Sequence, residues 1–195
     1  MEPIGAGAEA TLHGVLLDVY GIGILLLGES GTGKSECALD LVTRGHRLVA
    51  DDVVEVSRDG AQIVMGRAPT RIRYHMEIRG IGIINVRDLF GVTAIRHRKR
   101  IELVVMLEAW RPEEEYDRLG LTEQTYSILG VSIPMLRIPV SAGRNIAILV
   151  EVAARNHLLK LMGVHAARVF VSGMAGAGTE GGAEDLPSFS REDTE

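Results

Sequence analysis

Residues 28–35 read GESGTGKS and match the phosphate-binding pattern G-x-x-x-x-G-K-[ST] at every fixed position. Glycines in such a loop allow consecutive backbone N–H groups to point at phosphate oxygens, and the helix that follows adds its positive end. The lysine can neutralise charge on the β- and γ-phosphates, and the serine hydroxyl can bind Mg²⁺. We therefore predict a nucleotide-binding loop that consists of Gly28, Glu29, Ser30, Gly31, Thr32, Gly33, Lys34 and Ser35.

Two adjacent carboxylates, Asp51 and Asp52, follow the next apolar segment and are the second group that could take part in chemistry. A helix after the loop would carry the chain about 16 Å away from the phosphates at 1.5 Å per residue. The segment RLVA would return about 13 Å as a strand, and such a strand–helix–strand unit is normally parallel. Both aspartates should therefore lie beside the phosphates, where one could order Mg²⁺ and the other could transfer a proton. The alternative is that one of them is only a cap or turn residue.

His13 is the third candidate, because the segment HGVLLDVYGIGILLLG predicts two strands around a turn near Tyr20 and Gly21. If that hairpin is tight, its symmetry places His13 opposite Gly28, at the phosphate end. There the imidazole could form a hydrogen bond to a catalytic aspartate or to a phosphate oxygen. The alternative is a histidine with a purely structural role.

The elements that must position these residues follow from hydrophobic patterns and turn residues. A helix with Gly45 as its stop is predicted for KSECALDLVTRG. A short strand is predicted for HRLVADD, and a hairpin with Asp59 and Gly60 at its turn is predicted for VVEVSRDGAQIVMG. A strand and then a short helix or turn are predicted for IRYHMEIRGIGIINVRDLFG, and a strong strand is predicted for residues 101–107. A helix of about five turns is predicted for NIAILVEVAARNHLLKLMG. We expect a flexible N-terminus over residues 1–12, one domain over residues 13–171 and a disordered tail over residues 172–195.

The composition excludes several classes of function. Hydrophobic residues make up 46% of the 195 residues, which is enough for one domain with a core. A net charge of −5 and an aromatic content of 4% argue against nucleic-acid binding. The longest apolar run, residues 22–27, is far shorter than the roughly 20 residues of a membrane span. Cys37 is the single cysteine and cannot form an internal disulfide, and the N-terminal residues lack a signal-peptide pattern, so we expect a cytoplasmic protein.

Blocks beyond the phosphate loop resemble the bacterial HPr kinase/phosphorylase family. They are HGVLLDVYG, GHRLVADD, MEIRGIGIINVRDLFG, EYDRLG and IPVSAGRNIAILVEVAARN. Residues 77–86, EIRGIGIINV, look like the family signature and are far more specific than a phosphate loop alone. The resemblance extends over residues 13–169 and is to the catalytic C-terminal domain of the Gram-positive type.

The resemblance implies an α/β fold: a P-loop-containing, phosphoenolpyruvate carboxykinase-like core with a mixed sheet and flanking helices. It implies that ATP and Mg²⁺ serve to phosphorylate a regulatory serine of the phosphocarrier protein HPr. It also implies the phosphorolytic reaction, in which inorganic phosphate removes the serine phosphate and pyrophosphate is released. Members of the family act in carbon catabolite repression and sugar uptake, assemble as homohexamers and respond to fructose 1,6-bisphosphate.

The resemblance also assigns roles to individual residues. His13, Lys34, Asp52 and Arg118 fall on catalytic positions of the family, and Ser35 and Glu77 fall on its Mg²⁺ ligands. Residues 77–86 would serve both reactions, and residues 139–144 mainly dephosphorylation. An aspartate can accept the serine proton in one direction and return it in the other. We favour Asp52 for this role with Asp51 as its helper or metal-side partner, although the sequence does not separate the two.

Three arginines complete the expected catalytic set. Arg79 and Arg118 would offset charge on the transferring phosphoryl group, and Arg144 could hold the incoming phosphate by a forked contact. Without the resemblance, Arg79 and Arg118 would be taken for solvated surface residues. The basic run RHRKR at residues 96–100 is either a solvated loop or a docking surface for an anion or an acidic partner.

The sequence departs from the family at two points, and two other functions are alternatives to the one that the resemblance implies. Relatives of this type usually carry an additional N-terminal domain, and Ser141 and Ala142 stand where relatives often have a basic residue and a proline. The second departure bears on the strength of phosphorolysis. The competing functions are a P-loop kinase for a small metabolite, or a carboxykinase relative, and a nucleotide-binding regulatory module without turnover.

Overall fold

The structure is a computed structural model that describes residues 8–111, 113, 120–141 and 143–176. Its strands are β1 (Glu9–His13), β2 (Val15–Val19), β3 (Ile22–Gly28), β4 (Arg47–Ala50), β5 (Val53–Arg58), β6 (Val64–Arg67), β7 (His75–Ile78), β8 (Gly82–Asn85), β9 (Arg98–Arg100), β10 (Leu103–Ala109), β11 (Gln124–Ile128) and β12 (Val131–Val140). Its helices are α1 (Lys34–Thr43), α2 (Val86–Phe90), α3 (Ile146–Leu161) and α4 (Ala166–Gly176), with short 3₁₀ turns at Thr70–Ile72 and Val92–Ala94.

The central sheet has six strands in the order β11-β12-β10-β3-β2-β4. Strands β3, β10 and β12 are parallel, while β2 is antiparallel to both of its neighbours, β3 and β4. Strand β4 therefore runs in the same direction as β3, with β2 between them. The loop after β3 and the aspartates after β4 consequently lie at the same edge of the sheet, which is the geometry that the strand–helix–strand argument predicted. The mixed sheet with flanking helices confirms the expected α/β class.

A second sheet, β1-β5-β6-β9, is antiparallel, and β7 pairs with β8 in a separate hairpin. Side chains alternate between the two faces of the central strands, so β2 contributes to two cores. Leu17 packs in one core with Leu41 of α1 and Val150 of α3, and Leu16 packs in the other with Val54 of β5. Strand β2 is buried on both faces because a helical layer covers one side and a second sheet covers the other.

Helix α1 ends at Thr43, and Gly45 follows its C-cap residue Arg44, in the stop position that the sequence predicted. This glycine has φ +94°, its N–H donates to the Val42 carbonyl at 2.9 Å, and the His46 N–H donates to the Leu41 carbonyl at 3.0 Å. These two bonds satisfy carbonyls that the helix end would otherwise leave unpaired. The buried His46 ring then contacts Glu151 of α3, with Nε2 2.9 Å from Oε1. The far end of α1 is thereby joined to α3.

The structure corrects the expectation for the basic run at residues 96–100. Residues 98–100 form β9 at the edge of the second sheet, so this part of the run is a strand and not a loop, and its use as a docking surface stays a prediction. Arg96 is paired with the buried Asp18, and Lys99 Nζ lies 3.1 Å from Glu102. Strand β10 begins at Leu103, two residues later than predicted. Most of the cationic charge in this run serves internal ion pairs.

Two expected boundaries also differ. Residues 9–12 were assigned to a flexible N-terminus, but they belong to β1, which pairs with β5 from Glu9↔Ser57 to His13↔Val53. At the other end, α4 runs through residue 172, where a disordered tail was expected to begin. The chain divides into one compact unit that ends at Val164 and another that begins at His165 and contains α4. Residues 177–195 lie outside the described residues, and no helix in the described part is long and apolar enough to cross a membrane.

Candidate functional site

The predicted phosphate loop connects β3 to α1. At Gly28 the loop passes so close to β10 that an added Cβ would lie 2.4 Å from the Leu107 carbonyl oxygen, so only glycine fits there. Helix α1 starts after Gly33, which has φ +85° and provides no side-chain cap. The first-turn N–H groups therefore have no side-chain acceptor at the cap, which leaves them free to bind an anion.

Lys34 and Ser35 make the contacts that a phosphate-binding loop requires. Lys34 Nζ donates hydrogen bonds to the carbonyls of Gly28 and Glu29 at 2.8 and 2.9 Å, which holds the ammonium across the loop. Ser35 Oγ donates to Asp51 Oδ1 at 2.9 Å. The serine hydroxyl and one of the two predicted aspartates therefore meet directly.

Asp51 follows β4 and is only 6% exposed. Burial raises the pKa of this carboxyl to about 6, against the opposing effect of hydrogen bonds from Ser35 Oγ and from the backbone N–H of Glu77. These two donors come from α1 and from the β7–β8 hairpin, so the carboxylate joins three separate parts of the chain. Its position beside Ser35 suits a group that organises a cation at the loop.

Asp52 lies in a different environment from its neighbour. Its side chain is 70% exposed, and its Oδ1 lies 3.2 Å from His13 Nδ1. The residue has φ +65°, and its carbonyl accepts a hydrogen bond from the Gly14 N–H at 3.1 Å. The turn between β4 and β5 thus directs one carboxylate inward to Ser35 and leaves the other accessible beside an imidazole.

The β7–β8 hairpin contributes Glu77 and Arg79 to the same region. Residues 72–91 were expected to form one strand and then a short helix or turn, but they contain two strands, β7 and β8, before the short helix α2. Glu77 is exposed on β7, opposite Ile83 of β8. Arg79 Nη2 lies 3.9 Å from the place that a Cβ of Gly31 would take, so its guanidinium reaches the phosphate loop.

These residues surround one cleft of about 300 Å³. Its lining includes most of the predicted set, namely Ser30, Gly31, Gly33, Lys34, Ser35, Asp51, Asp52, Glu77 and Arg79. Gly28, Glu29 and Thr32 form the base of the loop, and His13 reaches the cleft through Asp52. The sequence argument missed Glu36 and His75, which also line the cleft. Both were detectable, since Glu36 follows the motif directly and His75 shares a strand face with Glu77 at a spacing of two residues.

One predicted residue of the described part, Arg144, is not brought to this cleft. Arg144 follows β12, at the same edge of the sheet as the phosphate loop, but it does not line the cleft, and its Nη1 donates to the Pro139 carbonyl at 2.9 Å. Arg118 and Ala142 lie outside the described residues. The expected role of Arg144 thus has no support from the geometry of the single chain.

The oxygen donors around the cleft are compatible with Mg²⁺. The described residues contain no cluster of three or more histidine, cysteine or acidic side chains that could hold a metal by themselves. Mg²⁺ in nucleotide sites is usually held by one or two carboxylates together with phosphates and water, so a full protein cage is not required. The Ser35 hydroxyl, hydrogen-bonded to Asp51, and the exposed Glu77 carboxylate supply donors of that kind.

A glycine-rich loop between a strand and a helix, with its serine hydrogen-bonded to an aspartate that follows another strand of the same sheet, defines a P-loop α/β protein. Comparison with known proteins gives the family. Residues 6–174 match the HPr Serine kinase C-terminal domain, and the chain belongs to this family.

Individual relatives agree with this assignment. The chain is 58% identical over 159 residues to the HPr kinase/phosphorylase of Geobacter sulfurreducens, covering 82% of this chain and 50% of that protein. It is 55% identical over 174 residues to the HPr kinase/phosphorylase of Geobacillus kaustophilus, covering 89% and 56%. A solved structure of the Hpr(Ser) kinase/phosphatase from Coxiella burnetii superimposes with a TM-score of 0.71 at 35% identity, covering 78% of this chain and 99% of that one. The chain spans about half the length of the curated relatives it matches.

Proposed function

We propose that this chain carries the phosphotransfer centre of an ATP-dependent HPr serine kinase that also catalyses phosphorolysis of seryl-phosphorylated HPr. The observation that carries the proposal is the division of labour between the adjacent carboxylates. Asp51 is buried against Ser35 of the phosphate loop, and Asp52 is exposed beside His13. The names of the relatives supply the acceptor, because they are HPr kinases and phosphorylases.

In the kinase direction the chain would hold the β- and γ-phosphates of ATP with the loop N–H groups and Lys34. Asp52 would accept the proton of the HPr serine as its oxygen attacks the γ-phosphorus, and His13, 3.2 Å away, would orient that carboxylate. Arg79 lies beside Gly31 and would offset charge on the transferring group. Bound Mg²⁺ would neutralise phosphate charge, with Ser35 and Glu77 as its expected protein ligands.

In the phosphorolytic direction the roles reverse. An oxygen of inorganic phosphate attacks the phosphorus of phosphoserine, the bond from phosphorus to the serine oxygen breaks, and pyrophosphate forms. A protonated Asp52 would return its proton to the departing serine oxygen. We keep Arg144 as a candidate for binding the incoming phosphate, together with Arg118 as a candidate for offsetting phosphoryl charge.

The wider role follows from family membership and is part of the proposal. HPr would be the protein partner, a homohexamer the assembly, and fructose 1,6-bisphosphate the effector. The protein would act in the cytoplasm, in carbon catabolite repression and control of sugar uptake. The composition, with one cysteine and a net charge of −5, is consistent with a cytoplasmic protein that does not bind nucleic acid.

A transfer assay tests the proposed function directly. The chain is incubated with γ-labelled ATP, Mg²⁺ and purified HPr, and the control is an HPr variant whose regulatory serine is alanine. We expect label on serine of HPr only, and release of pyrophosphate when phosphorylated HPr is incubated with inorganic phosphate. Labelling of sugars or nucleosides without labelling of HPr would instead indicate a metabolite kinase. ATP binding without any transfer would indicate a regulatory module.

A further inference from the structure

Tyr74, immediately before β7, has an unusual backbone conformation. Its φ is +71°, in the left-handed region that residues with a bulky side chain rarely adopt. A non-glycine residue stays in this region only when its surroundings hold it there, and such residues concentrate at functional sites. In the described part of the chain, three other non-glycine residues share this property: Tyr20, Asp52 and Leu129. Tyr74 is the one that leads into the hairpin of the cleft.

Contacts from two other segments hold Tyr74 in place. Its carbonyl accepts a hydrogen bond from the Val86 N–H at 2.8 Å, which fastens it to the start of α2. Its hydroxyl lies 3.1 Å from His97 Nδ1, and the two rings meet edge to face with centroids 5.8 Å apart. The guanidinium of Arg87, also on α2, lies 5.8 Å from the ring centre. The side chain is therefore attached to α2 and to the segment that enters β9.

Tyr74 lies directly before β7, whose two faces differ in burial. Met76 and Ile78 are buried at 1% and 5% exposure, so the alternate residues His75 and Glu77 face outward. A slip of one residue would exchange the two faces and bury Glu77. The Glu77 N–H also contributes to the lowering of the Asp51 pKa that opposes burial, and Arg79 at the hairpin tip reaches Gly31. All these groups follow Tyr74 within five residues of the chain.

We propose that Tyr74, with His97 as its hydrogen-bond partner, is a positioning residue that fixes the β7–β8 hairpin so that Glu77 and Arg79 face the phosphate loop. The inference rests on the proposed function for its effect on catalysis. Tyr74 does not touch the phosphates or the acceptor and acts through Glu77 and Arg79. Its effect should therefore appear in the Mg²⁺ dependence of the reaction and in the order of the hairpin.

The test uses Tyr74→Phe, which removes the hydroxyl and keeps the ring, and His97→Phe, which removes the same hydrogen bond from the other side. We expect Tyr74→Phe to raise the Mg²⁺ concentration for half-maximal HPr phosphorylation by about 10-fold, the lower end of the loss seen when groups that support a metal site are removed. His97→Phe should raise this Mg²⁺ concentration by a similar factor. The double variant should raise it little further, because both substitutions remove the same hydrogen bond.

The matched control is Tyr20→Phe. Tyr20 also has a positive φ of +52° and a hydrogen-bonded hydroxyl, but it lies at the β2–β3 turn, at the other end of β3 from the phosphate loop. This control should leave the Mg²⁺ dependence unchanged. An unaltered Mg²⁺ dependence in Tyr74→Phe would overturn the proposal.

A second measurement separates this inference from the proposed function. Amide hydrogen exchange at Glu77, in β7 of the hairpin, can be measured by NMR without any substrate. We expect about 10-fold faster exchange at Glu77 in Tyr74→Phe than in the unmodified chain and no change in Tyr20→Phe. Absence of HPr phosphorylation by the unmodified chain would refute the proposed function alone. Equal exchange at Glu77 in all three proteins would refute the positioning role alone.

Discussion

Asp51 and Asp52 are neighbours in the chain but meet different physical conditions. Asp51 is 6% exposed, and burial raises its pKa to about 6, whereas the Asp52 side chain is 70% exposed and 3.2 Å from His13. The exposed Asp52 carboxylate beside the imidazole is accessible to a substrate hydroxyl, whereas the buried Asp51 carboxylate already accepts a hydrogen bond from the Ser35 hydroxyl. This contrast is why we assign proton transfer to Asp52 and organisation of the loop to Asp51.

The raised pKa of Asp51 predicts a pH dependence of stability. A carboxyl group with a pKa of about 6 in the folded chain and 3.8 in the unfolded chain binds more protons when folded between these values. The free energy of unfolding should therefore fall as pH rises from about 4 to about 6, by at most about 3 kcal/mol from this group. Asp51→Asn should remove that contribution. The free energy of unfolding of the variant minus that of the unmodified chain should therefore be larger at pH 7 than at pH 4. Urea unfolding at both pH values, without Mg²⁺ or nucleotide, measures the difference, and an equal effect at both would contradict the prediction.

Arg144 gives a prediction that the single chain does not explain. Its guanidinium bonds its own turn at the Pro139 carbonyl and is absent from the lining of the cleft. If it holds the incoming phosphate, Arg144→Ala should slow phosphorolysis by about 10-fold or more, the effect of one lost charge-assisted hydrogen bond, and leave phosphorylation nearly unchanged. Paired rate measurements in the two directions check this, and equal losses would refute the division.

At the scale of elements, α1 connects the phosphate loop at its start to a packed junction at its end. Its first turn carries Lys34 and Ser35, and its last turn closes through Gly45 at φ +94°, followed by His46 packed against Glu151. A secure end is useful because the loop at the other end must hold its N–H groups in a fixed arrangement. The helix is therefore both a support for the loop and part of the core through Leu41.

Gly45 offers a direct test of that helix end. Gly45→Ala should reduce the free energy of unfolding by about 1 kcal/mol, since alanine is strained at a positive φ. Apart from Gly45 and its two chain neighbours, no atom of the described residues lies within 4 Å of the position of the added Cβ, so the loss comes from the backbone and not from a clash. Gly45→Asn is the control and should lose roughly half as much, because asparagine tolerates the left-handed region. Urea unfolding compares the two, and an equal loss in both would show that the backbone conformation is not the cause.

At the scale of the whole molecule, local patterns predicted more than distant pairings did. The loop between β3 and α1, the helix α1, strand β4 and the β2–β3 hairpin follow from residues that are close in sequence, and their places in the chain were predicted correctly. In the β2–β3 hairpin Val15 pairs with Leu26, and the same register extended by two residues would place His13 opposite Gly28, as predicted. His13 instead belongs to β1, where it pairs with Val53 of β5. The pairing of β1 with β5 joins segments some 40 residues apart and has no local signal. The sequence could not show it, because packing decides such contacts.

The site follows the same rule. Asp51 and Asp52 could be placed near the loop from strand and helix lengths, but their different burial could not be predicted. It depends on the Glu77 N–H, which a remote hairpin brings to Asp51, and on the left-handed turn at Asp52. The roles of Arg79 and Arg144 likewise depend on loop conformations that residue types do not specify.

A prediction for the whole molecule concerns the nucleotide. Because binding to the folded state alone stabilises it, saturating Mg²⁺ and ATP at about 100 times the dissociation constant should add about 2.7 kcal/mol to the free energy of unfolding. EDTA should remove most of this gain. Lys34→Ala, which loses the ammonium held across the loop at Gly28 and Glu29, should show a much smaller gain. Thermal unfolding with and without ligand checks this, and an equal gain in Lys34→Ala would place the nucleotide elsewhere.

The measurement that tests the central claim most directly compares Asp52→Asn with the unmodified chain in single-turnover phosphorylation of HPr and, in parallel, in Mg²⁺-dependent ATP binding. The amide keeps the shape of the side chain but cannot accept the serine proton. We predict transfer slower by about 10²- to 10⁴-fold with ATP affinity retained, and an equal loss in phosphorolysis. Transfer at a near-normal rate by Asp52→Asn would contradict the account.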